Sequence, residues 1–282
     1  MPMEGKDIHK GQGLNDTSLP PRGGGGSLSL PLKGGGRAFI YRLYQLLIAA
    51  PLLILATAAT AIVTIIGCTL GGARTWGYYP AMVWSRLMCR LMLLPVRVEG
   101  QEKLRRSQSY VFVANHQGPY DVFLIYGFLG RSFRWMMKKE LRSIPLVGKA
   151  CESAGHIFVD KSGPKAIHRT YEQGRKVLRD GVSLVVFPEG ARTFTGHMAK
   201  FRRGAFQLAD ELRLPVVPIT INGSYHVLSR RRGPVNFVFW HRLSMTLHAP
   251  IPPIGKGPEN IKHAMELSRE AIASALDKEP EA

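Results

Sequence analysis

An uncharged segment from Leu43 to Gly72 constrains this chain more than any other feature of its sequence. The segment has 30 residues, and a helix needs roughly 20 apolar residues to cross a bilayer. A buried helix of a soluble core seldom runs this long without a polar face. A cleaved signal peptide fits poorly, because the segment begins more than 40 residues into the chain and exceeds a signal core of about 7–15 residues. We therefore expect a membrane-associating helix.

The residues around this segment bear on how it meets the membrane. Basic side chains flank both of its ends, namely Lys33, Arg37 and Arg42 before it and Arg74, Arg86 and Arg90 after it. The positive-inside rule therefore gives no orientation. A hairpin or an in-plane helix explains this symmetry better than a single crossing, and the apolar stretch from Tyr78 to Leu94 is a candidate for its second, interfacial arm.

The rest of the chain divides into a tail and one larger domain. We expect residues 1–36, which are rich in Gly, Ser and Pro, to form a disordered tail. Residues 37–94 would be the membrane-associating helices, and residues 95–282 an α/β domain in which helices flank a mixed β-sheet. The predicted strands are 110–115, 157–159, 183–187, 216–221, 235–240 and 244–249. The predicted helices are 121–129, 164–179 and 259–276.

The charge balance favours anionic partners. The chain has 38 Lys and Arg against 20 Asp and Glu, a formal net charge of +18, which would attract nucleic acid, anionic lipid or an anionic small substrate. The run Arg230 to Arg232 keeps open a nucleic-acid-binding or basic membrane-surface protein that is not an enzyme. The three cysteines, Cys68, Cys89 and Cys151, have no CxxC spacing, so no disulfide framework or zinc site is indicated.

The first candidate catalytic group lies where a predicted strand ends and a helix begins, in the sequence Asn115-His116-Gln117-Gly118-Pro119-Tyr120-Asp121. Gly118 and Pro119 favour a tight turn, which would bring His116 and Asp121 together. An imidazole can act as a general base near neutral pH, with a carboxylate that fixes its tautomer. The alternative is structural, because a satisfied histidine beside a helix-capping aspartate is commoner than a catalytic pair.

A second candidate group, Phe187-Pro188-Glu189-Gly190-Ala191-Arg192-Thr193, also follows a predicted strand. Gly190 permits close approach of backbone to a ligand, and Arg192 offers a planar fork that suits phosphate oxygens. Lys161 and the sequence Lys200 to Gly204 add further positive charge near strand ends. These residues indicate a phosphate pocket, although a turn with a surface Glu189–Arg192 ion pair remains open.

Four blocks in a fixed order carry a family resemblance. They are NHQGPYD at 115–121, GHIFVDK at 155–161, FPEGARTF at 187–194 and LPVVPITI at 214–221. With these blocks the chain resembles the 1-acylglycerol-3-phosphate (lysophosphatidic acid) acyltransferases, a family of glycerolipid acyltransferases. The resemblance covers roughly residues 95–250 and extends to the hydrophobic N-terminal helices.

The resemblance implies transfer of an acyl chain from acyl-CoA or acyl carrier protein to the free hydroxyl of a lysophospholipid, most simply 1-acylglycerol-3-phosphate, to give phosphatidic acid. His116 would deprotonate that hydroxyl and Asp121 would orient His116. No metal ion or other cofactor and no nucleic acid is implied. The enzyme would be bound to a membrane, with its active site facing the cytoplasm.

The resemblance also assigns the acceptor site, which would contain Lys161, Glu189, Gly190 and Arg192, with Lys161 and Arg192 on the phosphate. Family members commonly have Arg at position 161 and Thr at position 191, where this chain has Lys161 and Ala191. Lysine lacks the bidentate fork and alanine lacks a hydroxyl donor. Other lysolipids, including amino-acid-containing lipids, therefore remain alternative acceptors. An ester hydrolase is disfavoured, because the chain has no Gly-x-Ser-x-Gly nucleophile elbow.

On this interpretation part of the positive charge would face the bilayer. Six basic residues fall in one short stretch, namely Arg131, Arg134, Lys138, Lys139, Arg142 and Lys149. Each such group near an anionic leaflet contributes about 1 kcal/mol of attraction. We expect this stretch to draw the active site towards lipid.

Overall fold

The computed structural model describes residues 35–160, 162–178, 181–232 and 236–277. Residues 1–34, which hold most of the predicted tail, and Lys161 lie outside the described residues. Within the described ranges the helices are α1 Gly35–Tyr44, α2 Ala50–Gly71, α3 Ala73–Trp76, α4 Tyr79–Leu91, α5 Tyr120–Phe128, α6 Val147–Ser153, α7 Pro164–Val177, α8 Gly204–Leu212, α9 Ser224–Val227 and α10 Pro258–Ser274. The strands are β1 Val96–Glu99, β2 Val111–Ala114, β3 Phe133–Lys138, β4 Ile157–Val159, β5 Ser183–Val186, β6 Val216–Asn222 and β7 Leu243–Leu247.

The N-terminal helices form a hairpin. A π-helical turn, Gln45–Ala49, joins α1 and α2 into one helix, Gly35–Gly71, that is long and apolar enough to cross a membrane. Helix α4 returns along it, because the Tyr44 hydroxyl donates to the Leu91 carbonyl at 2.9 Å and Trp84 Nε1 donates to Thr57 Oγ1 at 2.9 Å. The long helix leaves most of its large apolar side chains exposed, among them Phe39, Ile40, Leu46, Leu47, Ile54, Leu55, Ile66 and Leu70.

The seven strands of the described residues form one mixed sheet in the order β1-β7-β6-β2-β5-β3-β4. The five strands from β6 to β4 run parallel to one another. Strand β7 is antiparallel to β6 and parallel to β1. The predicted α/β fold with a mixed sheet is therefore confirmed.

The core lies in two layers, one on each face of this sheet. Alternate residues of β2 point to opposite faces, so Phe112 and Ala114 pack with residues of α4 and α5, whereas Val111 and Val113 pack with residues of α8 and α10. All four side chains are fully buried. This burial on both faces explains why strand β2 reads as an uninterrupted apolar run.

The predicted strand at 235–240 is wrong over residues 236–240, which form no strand. The backbone N–H and C=O groups that would pair with a neighbouring strand form hydrogen bonds with other parts of the chain instead. The Gln45 side-chain amide donates to the Val238 carbonyl at 2.8 Å and accepts from the Val238 amide at 2.8 Å. The Phe239 amide donates to the Val227 carbonyl at 2.9 Å. This segment therefore ties the hairpin to the α/β domain.

Not all of the basic stretch that was expected to face lipid is exposed, and its attraction to lipid stays a prediction. Arg134 lies in β3, is 4% exposed, and donates to the Ala73 and Phe133 carbonyls at 2.9 Å each. Arg131 is half-buried and donates to three carbonyl oxygens of residues 105–108. The exposed Lys139 pairs with Asp160, and Arg142 and Lys149 both pair with Glu152. Of the six basic residues, two therefore bind carbonyl oxygens and three pair with carboxylates, which reduces the charge that this stretch would offer to lipid.

The sheet topology decides which loops meet. Strands β2 and β5 are parallel neighbours, so their carboxyl ends lie side by side at one edge of the sheet. The turn at 115–119 follows β2, and the loop at 187–194 follows β5. Helix α9 follows β6, which pairs with β2 on its other side. The first and third sequence blocks are therefore brought together with α9 at this edge.

Candidate active site

His116 and Asp121 form a direct pair across the predicted turn. His116 Nδ1 lies 2.7 Å from Asp121 Oδ2, and the same oxygen accepts hydrogen bonds from the amides of Gln117 at 2.6 Å and Gly118 at 2.9 Å. The Asp121 side chain is fully buried and lies in the first turn of α5, where the helix dipole stabilises negative charge. Three donors thus converge on one carboxylate oxygen.

This arrangement leaves the other nitrogen of the imidazole available. A carboxylate only accepts, so Nδ1 carries the hydrogen and Nε2 has the free lone pair. Nε2 makes no hydrogen bond within the described part of the chain, and the His116 side chain is 15% exposed. The Phe187 ring stacks on the imidazole with 3.8 Å between centroids and 8° between planes. Phe187 therefore fixes the plane of the ring without occupying Nε2.

Gly118 permits the tight packing of the turn against α9. A Cβ atom at position 118 would lie 2.5 Å from Ser224 Oγ, 2.7 Å from the Ser224 carbonyl oxygen and 3.0 Å from the Leu228 carbonyl oxygen. Two of these atoms belong to backbone, which cannot move aside cheaply. Only glycine fits between the turn and α9 without displacing one of them.

Glu189 joins the second loop to the first. Its Oε1 accepts from the His116 amide at 2.7 Å and its Oε2 from the Ala199 amide at 2.7 Å. The Thr193 amide donates to the His116 carbonyl at 2.9 Å. The backbone of His116 is therefore held on both sides by the loop after β5.

Gly190 and two arginines form the outer part of the site. Gly190 has a φ of +78°, and a Cβ there would lie 2.8 Å from Arg202 Nε. The Arg192 and Arg202 side chains make no hydrogen bond or ion pair with other described residues. Both guanidinium groups therefore keep their donors for a ligand. The sequence included Arg202 only as one of the basic residues from Lys200 to Gly204, because its place over Gly190 depends on the fold of the intervening loop.

Of the predicted site residues, the structure brings His116, Asp121, Glu189, Gly190 and Arg192 to one edge of the sheet. Lys161 is among the residues that are not described, so its predicted place on the phosphate stays a prediction. The residue before it, Asp160, directly follows β4. Strand β4 lies two strands away from β5 in the sheet. Among the described residues, no group of three or more His, Cys, Asp or Glu side chains is placed to hold a metal ion.

A solved structure shares this architecture. The 1-acyl-sn-glycerophosphate (LPA) acyltransferase PlsC from Thermotoga maritima matches with a TM-score of 0.67, over 84% of this chain and 95% of that one, at 24% sequence identity. At this identity the likeness concerns the fold.

Sequence comparison decides the family. The family model described as Acyltransferase matches residues 95–222, which include both the His116 turn and the Glu189 loop. A 1-acyl-sn-glycerol-3-phosphate acyltransferase alpha from Ovis aries is 33% identical over 198 residues, which make up 66% of this chain and 67% of the relative. The chain belongs to the 1-acylglycerol-3-phosphate acyltransferase family. The resemblance carried by the four sequence blocks is confirmed.

Other relatives match a smaller share of their own length. A 1-acyl-sn-glycerol-3-phosphate acyltransferase from Saccharomyces cerevisiae is 32% identical over 177 residues, which are 60% of this chain and 57% of the relative. The matching segments span 59% of a relative from Cocos nucifera. The part of the chain that matches the acyltransferase family model ends at Asn222, so α9 and the arginine run after it lie beyond it.

Proposed function

We propose that this chain transfers an acyl group from an acyl thioester to the free hydroxyl of 1-acylglycerol-3-phosphate, which yields phosphatidic acid. The observation that carries the proposal is the His116–Asp121 pair, with Nε2 of His116 unoccupied beside a loop that presents Arg192. Membership of the acyltransferase family supports the reaction class, and the relatives from Saccharomyces cerevisiae and Ovis aries, which are named as 1-acyl-sn-glycerol-3-phosphate acyltransferases, support this acceptor.

The chemistry follows from the geometry of the pair. Nε2 of His116 takes the proton of the acceptor hydroxyl as its oxygen attacks the thioester carbonyl carbon. A carbon–oxygen bond forms, and the tetrahedral intermediate then collapses with loss of the carbon–sulfur bond. The departing thiolate takes the proton from the imidazolium. Asp121 keeps Nδ1 protonated throughout and stabilises the transient positive charge.

The acceptor phosphate would bind the positively charged outer part of the site. Arg192 offers a bidentate fork to phosphate oxygens, and Gly190 leaves room beside it. Lys161 would add a further charge, as the family resemblance implies. The acyl donor would be acyl-CoA or acyl carrier protein, both of which present a thioester in the aqueous phase.

Attachment to a membrane would place this site at a lipid surface. The helix Gly35–Gly71 leaves apolar side chains exposed along its length, and α4 returns beside it as the second arm of a hairpin. An exposed apolar surface of this extent is typical of a membrane or protein interaction site. We propose that the hairpin sits in the bilayer with the active site on the cytoplasmic side, from which the thioester carrier would arrive.

The direct test is product formation by the purified chain in detergent micelles. Acyl-CoA or acyl carrier protein thioester is supplied with 1-acylglycerol-3-phosphate, and lipids are identified by mass spectrometry. We expect phosphatidic acid to form together with free thiol. A panel of lysolipids with other head groups tests the acceptor. Formation of a different diacyl lipid in preference would overturn the assigned acceptor, and no acceptor-dependent product would overturn the reaction.

A further inference from the structure

Arg230 makes two contacts with the loop that presents Arg192. The guanidinium carbon of Arg230 lies 4.0 Å from the centroid of the Phe194 ring, and Nη1 of Arg230 donates to the Arg192 carbonyl oxygen at 3.3 Å. A guanidinium over an aromatic face is attracted by the ring quadrupole. One side chain thus holds the loop through both a backbone group and an aromatic ring.

The same loop is held at two further points. Tyr225, in α9, donates from its hydroxyl to the Phe194 carbonyl at 3.1 Å. On the opposite side, the Thr193 amide donates to the His116 carbonyl at 2.9 Å. The backbone from 192 to 194 is therefore clamped between the His116 turn and the segment from Tyr225 to Arg230.

The neighbouring arginine shows that these contacts are specific to Arg230. Arg231 is exposed and makes no hydrogen bond, ion pair or ring contact with other described residues. The two residues have the same charge and lie in the same short helical turn, Arg230–Arg232. Any effect of net charge on lipid or substrate attraction should be similar at both positions, whereas an effect of the clamp should occur only at Arg230.

We propose that Arg230 is a positioning residue for acceptor recognition, which fixes the backbone of Arg192 so that its guanidinium meets the acceptor phosphate. This inference rests on the proposed function. A long side chain binds an anion well only when the backbone that carries it is already in place, because otherwise ordering costs oppose binding. Among the described contacts, Arg230 reaches neither His116 nor Asp121, so we expect its loss to change acceptor binding more than proton transfer.

The test compares Arg230→Ala with Arg231→Ala as the matched control. We expect Arg230→Ala to raise the KM for the lysolipid acceptor about fivefold to tenfold, from the loss of a cation–π contact and a hydrogen bond. The KM for the acyl donor and kcat should stay near wild type. Arg230→Lys, which can still stack and donate, should recover part of the loss, and Arg231→Ala should match wild type.

A double-mutant cycle shows whether Arg230 acts through Arg192. In an Arg192→Ala background, Arg230→Ala should have little further effect on acceptor KM. A full additional loss there would overturn the inference, as would equal acceptor KM values for Arg230→Ala and Arg231→Ala. Phe194→Leu removes the aromatic ring under Arg230 and should also raise the acceptor KM. It provides a second variant if Arg230→Ala does not fold. Absence of all acyl transfer by the wild-type chain would instead contradict the proposed function.

Discussion

The backbone amide of His116 donates to Oε1 of Glu189 at 2.7 Å, so the two active-site loops are joined at the proposed base itself. The other oxygen of Glu189 accepts from the Ala199 amide. Burial raises the pKa of the Glu189 carboxyl, and the two amide donors and His116 act against that rise. Because each of its oxygens accepts a backbone amide, Glu189 holds the backbone of His116 in place. Its predicted contact with the acceptor stays a prediction.

Glu189→Gln tests this positioning of His116. The glutamine amide group would face a backbone N–H, which leaves a buried donor unpaired at a cost of about 1–3 kcal/mol. We expect a lower free energy of unfolding and a reduced kcat, with the acceptor KM nearly unchanged. Steady-state kinetics with denaturant unfolding in detergent gives both quantities. A raised acceptor KM at wild-type kcat would instead show direct contact with the acceptor.

Asp121→Asn separates orientation of His116 from folding of the turn. The asparagine carbonyl can still accept from the amides of Gln117 and Gly118, so the turn should persist. The variant loses the negative charge that stabilises the imidazolium, so we expect kcat to fall about 10²–10⁴-fold. The measurement is kcat at saturating donor and acceptor. Wild-type kcat in a folded variant would mean that the pair is only structural.

Gly118→Ala tests the close approach of the catalytic turn to α9. The new Cβ would overlap Ser224 and the Leu228 carbonyl, so we expect a loss of about 1–3 kcal/mol in stability together with reduced activity. Gly204→Ala is the matched control, because a Cβ at position 204 meets no atom within 4 Å. Thermal unfolding in detergent compares the two variants. Equal Tm values would contradict the described packing of the turn.

The buried His156 predicts a loss of stability in acid. Burial, together with the nearby charge of Arg134, lowers the pKa of His156 from 6.5 to about 3. The neutral ring accepts from the Trp135 amide at 3.2 Å and lies 3.1 Å from the Tyr126 hydroxyl. Between about pH 3 and pH 6.5, His156 binds a proton in the unfolded chain but not in the folded chain. Its contribution to stability is therefore complete above about pH 6.5 and is lost as pH falls towards about 3.

The corresponding measurement is the free energy of unfolding against pH for wild type and His156→Gln. We expect wild type to lose about 1.4 kcal/mol more per pH unit than the variant within this window. The carboxylates titrate equally in both chains, so the difference between the two slopes of unfolding free energy against pH comes from His156. Parallel curves for the two chains would show that the ring is protonated in the folded state.

Local sequence patterns were sufficient to predict much of the site at the carboxyl ends of β2 and β5. A buried β run followed by Gly118 and Pro119 predicted the turn that carries His116, and strand β4 was predicted with its observed ends. Such signals lie within a few residues of one another along the chain. The side-by-side placement of β2 and β5 follows from sheet order, which spacing along the chain does not encode.

The misjudged elements depend on distant partners. The segment 236–240 has the composition of a strand, but the Gln45 side chain, almost 200 residues earlier, takes the backbone groups of Val238. Arg134 resembles a surface residue in sequence, yet the Ala73 carbonyl makes its burial possible. The contact between Arg230 and Phe194 is equally nonlocal. Side-chain to backbone bonds of this kind leave no periodic signal.

Turnover of His116→Ala decides whether His116 is the base of an acyl transfer to a lysolipid. The measurement is the rate of free thiol release from acyl-CoA or from acyl carrier protein thioester, with and without 1-acylglycerol-3-phosphate, at saturating substrate. We predict acceptor-dependent release by wild type and a kcat lower by about 10²–10⁴-fold in the folded variant. Acceptor-dependent release at the wild-type rate by His116→Ala would show that His116 is not the base.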